Sequence, residues 1–285
     1  MPAAHQKNCS TPVRRLPSCL RPTSTCFRHA KPLKSLPTKS LIIAGAQKCG
    51  TSTLFATLAN HPGIDVPRDP ETGKAFKEID FFNRHHQRGD DWYFSRFMSD
   101  GKTRLDVSPN YLCDPQAHQR MHALLPDAMV VVSLRDPVDR AISQYNHYTQ
   151  LMPGSHDWDW RCPEDTLDVN VQSELASPYD DWAGILNRGK YLQQLTHLLK
   201  FYDRSQVHVM VMDQWCVDPE HHLSALLDFA GLPQVALDVH TCHVRTYDSD
   251  PAGAELRKQL VEFYRPHNEA LFDFLGARFE SWILP

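Results

Sequence analysis

The chain has 285 residues, of which 41% are hydrophobic and 10% aromatic, so it is long enough to bury one large core in a single domain. No stretch approaches the roughly 20 apolar residues of a membrane span, and the eight cysteines include no CxxC pair, which argues against a membrane-spanning protein and against a zinc or disulfide scaffold. The net charge of −4 leaves an acidic body, which argues against nucleic acid as a partner.

The N-terminal segment differs in charge from the rest of the chain. Residues 1–40 contain eight Lys or Arg and no Asp or Glu, so the remainder carries a net charge near −12. This composition is typical of a disordered basic arm or a transit peptide. We therefore expect a folded domain at 41–285 in a soluble protein, located in the cytoplasm or in an organelle.

Apolar runs that predict strands alternate with segments whose apolar residues recur at helical spacing. Strands are predicted at 41–44, 103–107, 129–134 and 207–212, and helices at 51–60, 115–125, from 136 onward, and at 190–201, 219–230 and 252–264. The alternation predicts an α/β, P-loop-like fold of three layers, in which helices flank a central parallel sheet and ligands bind at the carboxyl ends of the strands. Residues 151–184 lose this periodicity and predict a long loop or lid.

The turn after the first strand has the glycine spacing of a phosphate-binding loop. Gly45 and Gly50 let backbone N–H groups converge on an anion, and the following helix adds the positive end of its dipole. Thr51, however, stands where a P-loop nucleotide triphosphatase has its lysine, and Lys48 lies three residues earlier. Taken alone, the loop leaves open a small-molecule kinase, another anion-binding enzyme and an ordinary strand-to-helix turn.

A second motif narrows these alternatives. GAQKCGTSTL at 45–54, together with VVSLRDPVDRAISQY at 131–145, resembles the sulfotransferase superfamily, and especially its heparan sulfate and glycosaminoglycan branch. KEIDFFN at 77–83 and SPNY at 108–111 also fit that branch. Further matches follow in the same order at 189–191, 228–233 and 263–268, so the resemblance covers about residues 41–280.

The resemblance implies a co-substrate, 3′-phosphoadenosine 5′-phosphosulfate (PAPS), whose product is 3′-phosphoadenosine 5′-phosphate (PAP), and no metal. It assigns donor binding to residues that match the superfamily's motifs. These are Lys48, Gly50, Thr51, Ser52 and Thr53 for the 5′-phosphosulfate, Arg135 and Ser143 for the 3′-phosphate, and Tyr191 and Arg245 as further contacts.

The same resemblance implies catalytic roles for Glu78 and Lys48. Glu78 would accept the proton of an attacking hydroxyl, and Lys48 would neutralise the leaving phosphate. His85 and His86 are the fallback base.

The chain departs from the glycosaminoglycan branch at Ser52, Asp80 and Val107, where the branch carries Arg, His and Lys. The resemblance implies a hydroxylated acceptor, first of all a carbohydrate. Because of these departures, a small alcohol, sterol or phenol stays an alternative acceptor. A kinase and a non-catalytic nucleotide-binding relative also remain open. A Golgi location would require an anchor that this sequence does not contain.

Overall fold

The computed structural model describes residues 39–99, 101–151, 166–176, 184–239 and 251–284. Within them, five strands form one sheet in the order β2-β3-β1-β4-β5, and every pairing in it is parallel. The strands are β1 (Ser40–Gly45), β2 (Ile64–Asp65), β3 (Thr103–Val107), β4 (Met129–Leu134) and β5 (Val207–Val211).

Helices connect the strands, as parallel pairing requires. They are α1 (Thr51–Leu58), α2 (Asp90–Phe94), α3 (Pro115–Leu124), α4 (Pro137–Asn146), α5 (Leu167–Ala176), α6 (Tyr191–Leu198), α7 (Met212–Trp215), α8 (Pro219–Ala230) and α9 (Gly253–Leu275). Single turns of π- or 3₁₀-helix lie at Phe81–His85, His86–Arg88, His147–Leu151, Asn187–Gly189, Arg204–Gln206 and Glu280–Trp282.

The central strand β1 is buried on both faces, which confirms the predicted three-layer α/β fold. Ile42 and Ala44 point into one core, to which α3, α6 and the C-terminal part of α9 contribute. Leu41 and Ile43 point into a second core, which α1 and α8 cover on the opposite face. Because successive side chains of a strand alternate between its faces, one apolar run fills both cores.

Local sequence chemistry fixes where α4 begins. Asp136 precedes the helix, and its Oδ1 accepts the backbone N–H of Val138 at 2.8 Å, while Pro137 occupies the first turn, where it loses no hydrogen bond. The helix thus starts three residues after the last residue of β4, at the carboxyl edge of the sheet.

Two predictions need correction. Residues 151–184 are not a long loop throughout, because α5 lies inside this segment, with Leu167 and Val171 buried in a core. Its buried Glu174 interrupts the apolar pattern that would have revealed the helix. The last helix was predicted to end at residue 264, before Pro266, but α9 continues to Leu275.

The continuation of α9 has a packing reason. Pro266 removes one backbone donor, but the helix beyond it packs Leu271 and Phe272 into the core, and burial of two such side chains outweighs that loss. No helix in the described ranges is both long and apolar enough to cross a membrane. The basic segment expected at 1–40 lies outside the described residues up to residue 38.

Candidate functional site

The loop between β1 and α1 has a fixed, partly left-handed backbone. Lys48 has a φ of 69° and Gly50 a φ of 78°, both in the region that residues with a Cβ rarely occupy. A Cβ at Gly50 would lie 2.5 Å from the ring of Trp215, so only glycine fits there. Glycine is therefore required at position 50 for two reasons: the backbone is left-handed there, and a Cβ would collide with Trp215.

Hydrogen bonds from β4 and α7 hold the loop in place. The Ala46 N–H donates to the Ser133 carbonyl at 2.7 Å, and the Ser133 hydroxyl donates to the Cys49 carbonyl at 2.7 Å. The indole N–H of Trp215 in turn donates to the Ser133 hydroxyl at 3.2 Å. The loop is thus shaped by buried contacts made by the protein itself.

The first turn of α1 follows directly. The N–H groups of Thr53 and Leu54 donate to the Gly50 carbonyl at 3.0 and 3.1 Å, which starts the helix, and its first turn contains no acidic residue. Thr51 and Thr53 are buried, whereas Ser52 is exposed. The positive end of the helix dipole is thereby left available to an anion.

Glu78 reaches the same edge of the sheet from the segment between β2 and β3. Its N–H donates to the carbonyl of Val107, the last residue of β3, at 3.0 Å, and its backbone is left-handed with a φ of 69°. The side chain is 41% exposed and its Oε1 lies 2.5 Å from the Nζ of Lys77. The structure thus holds the backbone of Glu78 firmly while its carboxylate stays accessible.

Lys77 joins Glu78 to the donor loop, and sequence reasoning missed it as a site residue. Its ammonium donates to the Ser52 hydroxyl at 3.0 Å and to the Thr51 hydroxyl at 3.4 Å. The available signal was its position beside Glu78 in the KEIDFFN motif. These contacts bring the predicted base and two predicted donor-binding residues to one place.

A buried carboxylate, also missed from the sequence, supports the segment that follows Glu78. Asp106 in β3 accepts the hydroxyls of Ser108 at 2.7 Å and Tyr111 at 3.0 Å. Those oxygens accept the backbone N–H groups of Asp80 and Phe81 at 3.2 and 2.9 Å. Burial raises the pKa of Asp106 to about 7. The SPNY motif therefore serves to hold the chain beside Glu78.

On the other side of β1, Arg135 extends the end of β4. Its guanidinium contacts Asp139, with 3.3 Å between Nη2 and Oδ2, one helical turn into α4. Ser143 lies two turns into that helix and is buried. α4 starts two residues after Arg135, so Arg135 lies close to the start of the helix that carries Ser143; that both residues face one anion stays a prediction.

Tyr191, at the start of α6, lies between the loop and β4. Its hydroxyl donates to the Arg135 carbonyl at 2.9 Å and lies 3.8 Å from the Cys49 sulfur. Burial raises its pKa well above the usual range, so the phenol is neutral. These contacts give the hydroxyl a role in positioning Arg135; direct contact with a donor stays a prediction.

Arg188 is a second cation missed from the sequence. The buried guanidinium donates from Nη1 to Asn110 Oδ1 at 2.7 Å and to Gln47 Oε1 at 3.3 Å. It therefore ties the turn before α6 to the donor loop and to the SPNY motif. Its place directly before the matched residues 189–191 was the only signal available.

The remaining candidates lie elsewhere. His85 packs against the ring of Trp92, with 5.6 Å between centroids, and burial with the charges of Arg88 and Arg84 lowers its pKa. Arg245 lies outside the described residues. Among the residues that are described, no group of three or more His, Cys, Asp or Glu side chains is placed to hold a metal ion.

Comparison with known proteins gives a consistent result. The sulfotransferase domain model matches residues 38–265. The chain is 28% identical, over 94% of its length, to a bifunctional heparan sulfate N-deacetylase/N-sulfotransferase 1 of Caenorhabditis briggsae, and 26% identical, over 84%, to human heparan sulfate glucosamine 3-O-sulfotransferase 6. It spans about a third (32%) of the nematode protein and 72% of the human one.

Solved structures agree on the fold. A sulfotransferase from Alicyclobacillus acidocaldarius superimposes with a TM-score of 0.66 at 24% identity, covering 87% of this chain and 99% of that one. The sulfotransferase STF9 from Mycobacterium avium gives a TM-score of 0.53 at 14% identity, covering 85% of this chain and 78% of that one. The family match over most of its length shows that this chain belongs to the sulfotransferase domain family.

Proposed function

We propose that this chain transfers a sulfuryl group from PAPS to a hydroxyl of a carbohydrate, by in-line attack with Glu78 as the base. One observation carries the proposal: the Lys77 ammonium contacts both the Glu78 carboxylate and the hydroxyls at the start of α1. The proposed proton acceptor and the proposed donor-binding loop therefore share one edge of the sheet. The carbohydrate follows from relatives whose names specify heparan sulfate.

The residues present fit such a donor. Bound PAPS supplies an activated sulfuryl group on a phosphate leaving group. The left-handed loop and the positive end of α1 suit its charged end, and the first turn of α1 carries no acidic residue that would repel it. We assign the 5′-phosphosulfate to Lys48 and residues 50–53.

The adenosine 3′-phosphate is assigned to the other flank of the loop, where Arg135 and Ser143 lie. The planar guanidinium suits a phosphate, and Ser143 lies in the helix that begins two residues after Arg135. Tyr191 fixes the carbonyl of Arg135. Arg245 completes the assignment made from the sequence.

In this reaction the protein positions the reactants, accepts a proton and stabilises charge. The acceptor hydroxyl forms the new oxygen–sulfur bond while the bond from sulfur to the phosphate oxygen breaks, and the hydroxyl proton passes to the Glu78 carboxylate. Lys48 neutralises the charge that develops on the leaving phosphate oxygen. The accessible carboxylate on a rigid backbone suits Glu78 for a proton transfer that requires both reach and orientation.

The proposal is tested by incubating the protein with PAPS labelled in its sulfuryl group and a panel of heparan-type oligosaccharides, simple sugars, sterols and phenols. We expect transfer to a carbohydrate. Glu78→Gln should lower kcat about 10²- to 10⁴-fold, because the amide accepts no proton. Lys48→Ala should lower it about 10²- to 10³-fold, because one charge-stabilising donor is lost.

Glu71→Gln is the matched control, because Glu71 is an exposed carboxylate seven residues earlier in the same segment. It should retain full activity. A fully active Glu78→Gln would rule out this base. Transfer confined to sterols or phenols would overturn the carbohydrate assignment, and phosphate transfer from ATP with Mg²⁺ in its place would support the kinase alternative.

A further inference from the structure

Lys77 occupies a position between the two halves of the proposed reaction. Its side chain is only 19% exposed, and its ammonium lies 2.5 Å from Glu78 Oε1. The same nitrogen lies 3.0 Å from the Ser52 hydroxyl and 3.4 Å from the Thr51 hydroxyl. One ammonium thus contacts the proposed base and the first two residues of the anion-binding helix.

The rigidity of the surrounding backbone makes this position specific. The residue after Lys77 is bonded to the end of β3, and the hydroxyls of Ser108 and Tyr111 hold the N–H groups of Asp80 and Phe81. The chain therefore enters and leaves this turn under restraint. The four-carbon side chain of Lys77 extends from this turn to the start of α1, where its ammonium contacts Thr51 and Ser52.

The first turn of α1 and the end of β3 contain no cationic side chain at this place. The first turn of α1 reads Thr-Ser-Thr-Leu, and the end of β3 reads Asp-Val followed by Ser-Pro. An anion that lies against the hydroxyls of Thr51 and Ser52 would therefore meet positive charge from Lys77. An ammonium has three N–H donors and can keep its bond to a carboxylate while it donates to a second oxyanion.

We propose that Lys77 holds the sulfonate group of the donor and aligns it with the carboxylate of Glu78. This inference rests on the proposed function. In the step itself, the acceptor oxygen bonds to sulfur, the sulfur–oxygen bond to the phosphate breaks with its electron pair going to the phosphate, and the proton goes to Glu78. Lys77 donates hydrogen bonds to sulfonate oxygens throughout and keeps its own proton.

The assignment makes a prediction that separates Lys77 from two other cations: Lys48, which neutralises the leaving phosphate of the 5′-phosphosulfate, and Arg135, which is assigned to the 3′-phosphate. PAP retains both phosphates but lacks the sulfonate, so Lys77 should distinguish PAPS from PAP. Loss of a charge-assisted hydrogen bond typically weakens an interaction about 10- to 100-fold. Lys77→Ala should raise the Kd for PAPS by about that factor and leave the Kd for PAP within about twofold.

The experiment measures both dissociation constants by titration calorimetry at fixed salt, together with kcat and KM for the acceptor. Lys77→Met keeps the apolar stem, and Lys77→Arg keeps the charge. Lys77→Ala and Lys77→Met should both lower kcat about 10²-fold. Lys77→Arg should recover most of the affinity for PAPS. Lys74→Ala, which removes an exposed charge three residues away, is the control and should behave as wild type.

Each outcome has a defined meaning. Equal weakening of PAPS and PAP, or no change in either, overturns the assignment to the sulfonate, as does full affinity for PAPS in Lys77→Met. If the wild type binds both nucleotides but sulfates no carbohydrate in the panel, the proposed acceptor fails while the PAPS-to-PAP ratio still tests Lys77.

Discussion

His118 in α3 shows how one buried side chain supports the donor loop from a distance. Its Nε2 lies 3.1 Å from the Leu112 carbonyl, which can only accept, so Nε2 carries the proton. Nδ1 therefore accepts from Nδ1 of His197 at 2.9 Å. Leu112 in turn donates its N–H to Ala44 at 2.8 Å, and its side chain fills the space beside Gly45.

This arrangement makes the stability of the protein sensitive to acid. Burial and the neighbouring His197 lower the pKa of His118 to about 3. Because the unfolded chain binds the proton near pH 6.5, the stabilising effect is full above that pH and is lost as the pH falls towards 3. Between pH 7 and 4, we expect the free energy of unfolding of wild type to fall by about 2 to 3 kcal/mol more than that of His118→Gln.

Urea unfolding at both pH values measures this difference. The Gln side chain keeps a donor for the Leu112 carbonyl but does not titrate. Comparing the stability of His118→Gln at the two pH values therefore removes any effect of the substitution on packing. His221→Gln, at an exposed histidine in α8, should retain the pH dependence of wild type. Parallel loss of stability in wild type and His118→Gln would contradict the assignment.

At the scale of elements, α5 organises the turn that leads into α6. Glu174 accepts the backbone N–H groups of Ile185, Leu186 and Asn187 at 2.8, 2.9 and 3.0 Å. Burial raises the pKa of Glu174, although the three N–H groups and then the charge of Arg140 act in the opposite direction. Buried Arg140 also donates to the Ile185 carbonyl. The carboxylate and the guanidinium together satisfy this turn, from which the Arg188 side chain reaches the donor loop.

Removal of the carboxylate should therefore affect both stability and the site. Glu174→Ala leaves three buried N–H groups without their acceptor, and we expect a loss of about 3 kcal/mol or more in the free energy of unfolding. Glu174→Gln keeps an acceptor oxygen and should lose less. Denaturant unfolding measures the effect, with Ser173→Ala on the exposed face of the same helix as control. A change within about 0.5 kcal/mol for Glu174→Ala would refute this role.

The elements of the fold were largely predictable from the sequence, because β1 and β4 are apolar runs and β3 alternates polar and apolar residues. β4 and α8 match their predicted ranges, 129–134 and 219–230, residue for residue. β2 has only two residues and carries too little periodicity to detect. The existence of α5 and the C-terminal end of α9 depend on tertiary packing, which overrides local signals such as Pro266.

Candidate site residues could be predicted only where they lie within a recognisable sequence motif. Lys48, Glu78 and Arg135 could be proposed as site residues because their neighbours in sequence match a family, and their roles stay predictions. Lys77 and Asp106 were missed because their roles depend on contacts between distant parts of the chain. Lys77 contacts Ser52, 25 residues earlier. Asp106 acts through the Ser108 hydroxyl, which accepts the N–H of Asp80, 28 residues before Ser108. A single sequence without its fold does not reveal which polar side chains meet.

At the scale of the whole molecule, a donor bound between both flanks of β1 should stabilise the entire domain. A ligand at 100 times its Kd adds about 2.7 kcal/mol, which for a domain of this size corresponds to a rise in Tm of about 5 to 10 °C. We expect PAP to produce this shift in wild type. Arg135→Ala should lose most of it at the same PAP concentration, because a phosphate contact is removed.

Differential scanning fluorimetry with and without PAP measures the shift. Arg265→Ala removes an arginine that is paired with Glu262 on the surface of α9, and it should retain the full rise. An unchanged rise in Arg135→Ala would remove this residue from the assigned phosphate site.

The strand order places the two sides of the proposed site on opposite sides of β1. β1 lies in the middle of the sheet, with β3 on one side and β4 on the other. The proposed base is fastened to β3, whereas the arginine assigned to the adenosine phosphate extends from β4. Substitutions in the segment between β2 and β3 would therefore change the side of the proposed site that meets both the acceptor and the sulfonate, and would leave the contacts assigned to the adenosine 3′-phosphate in place.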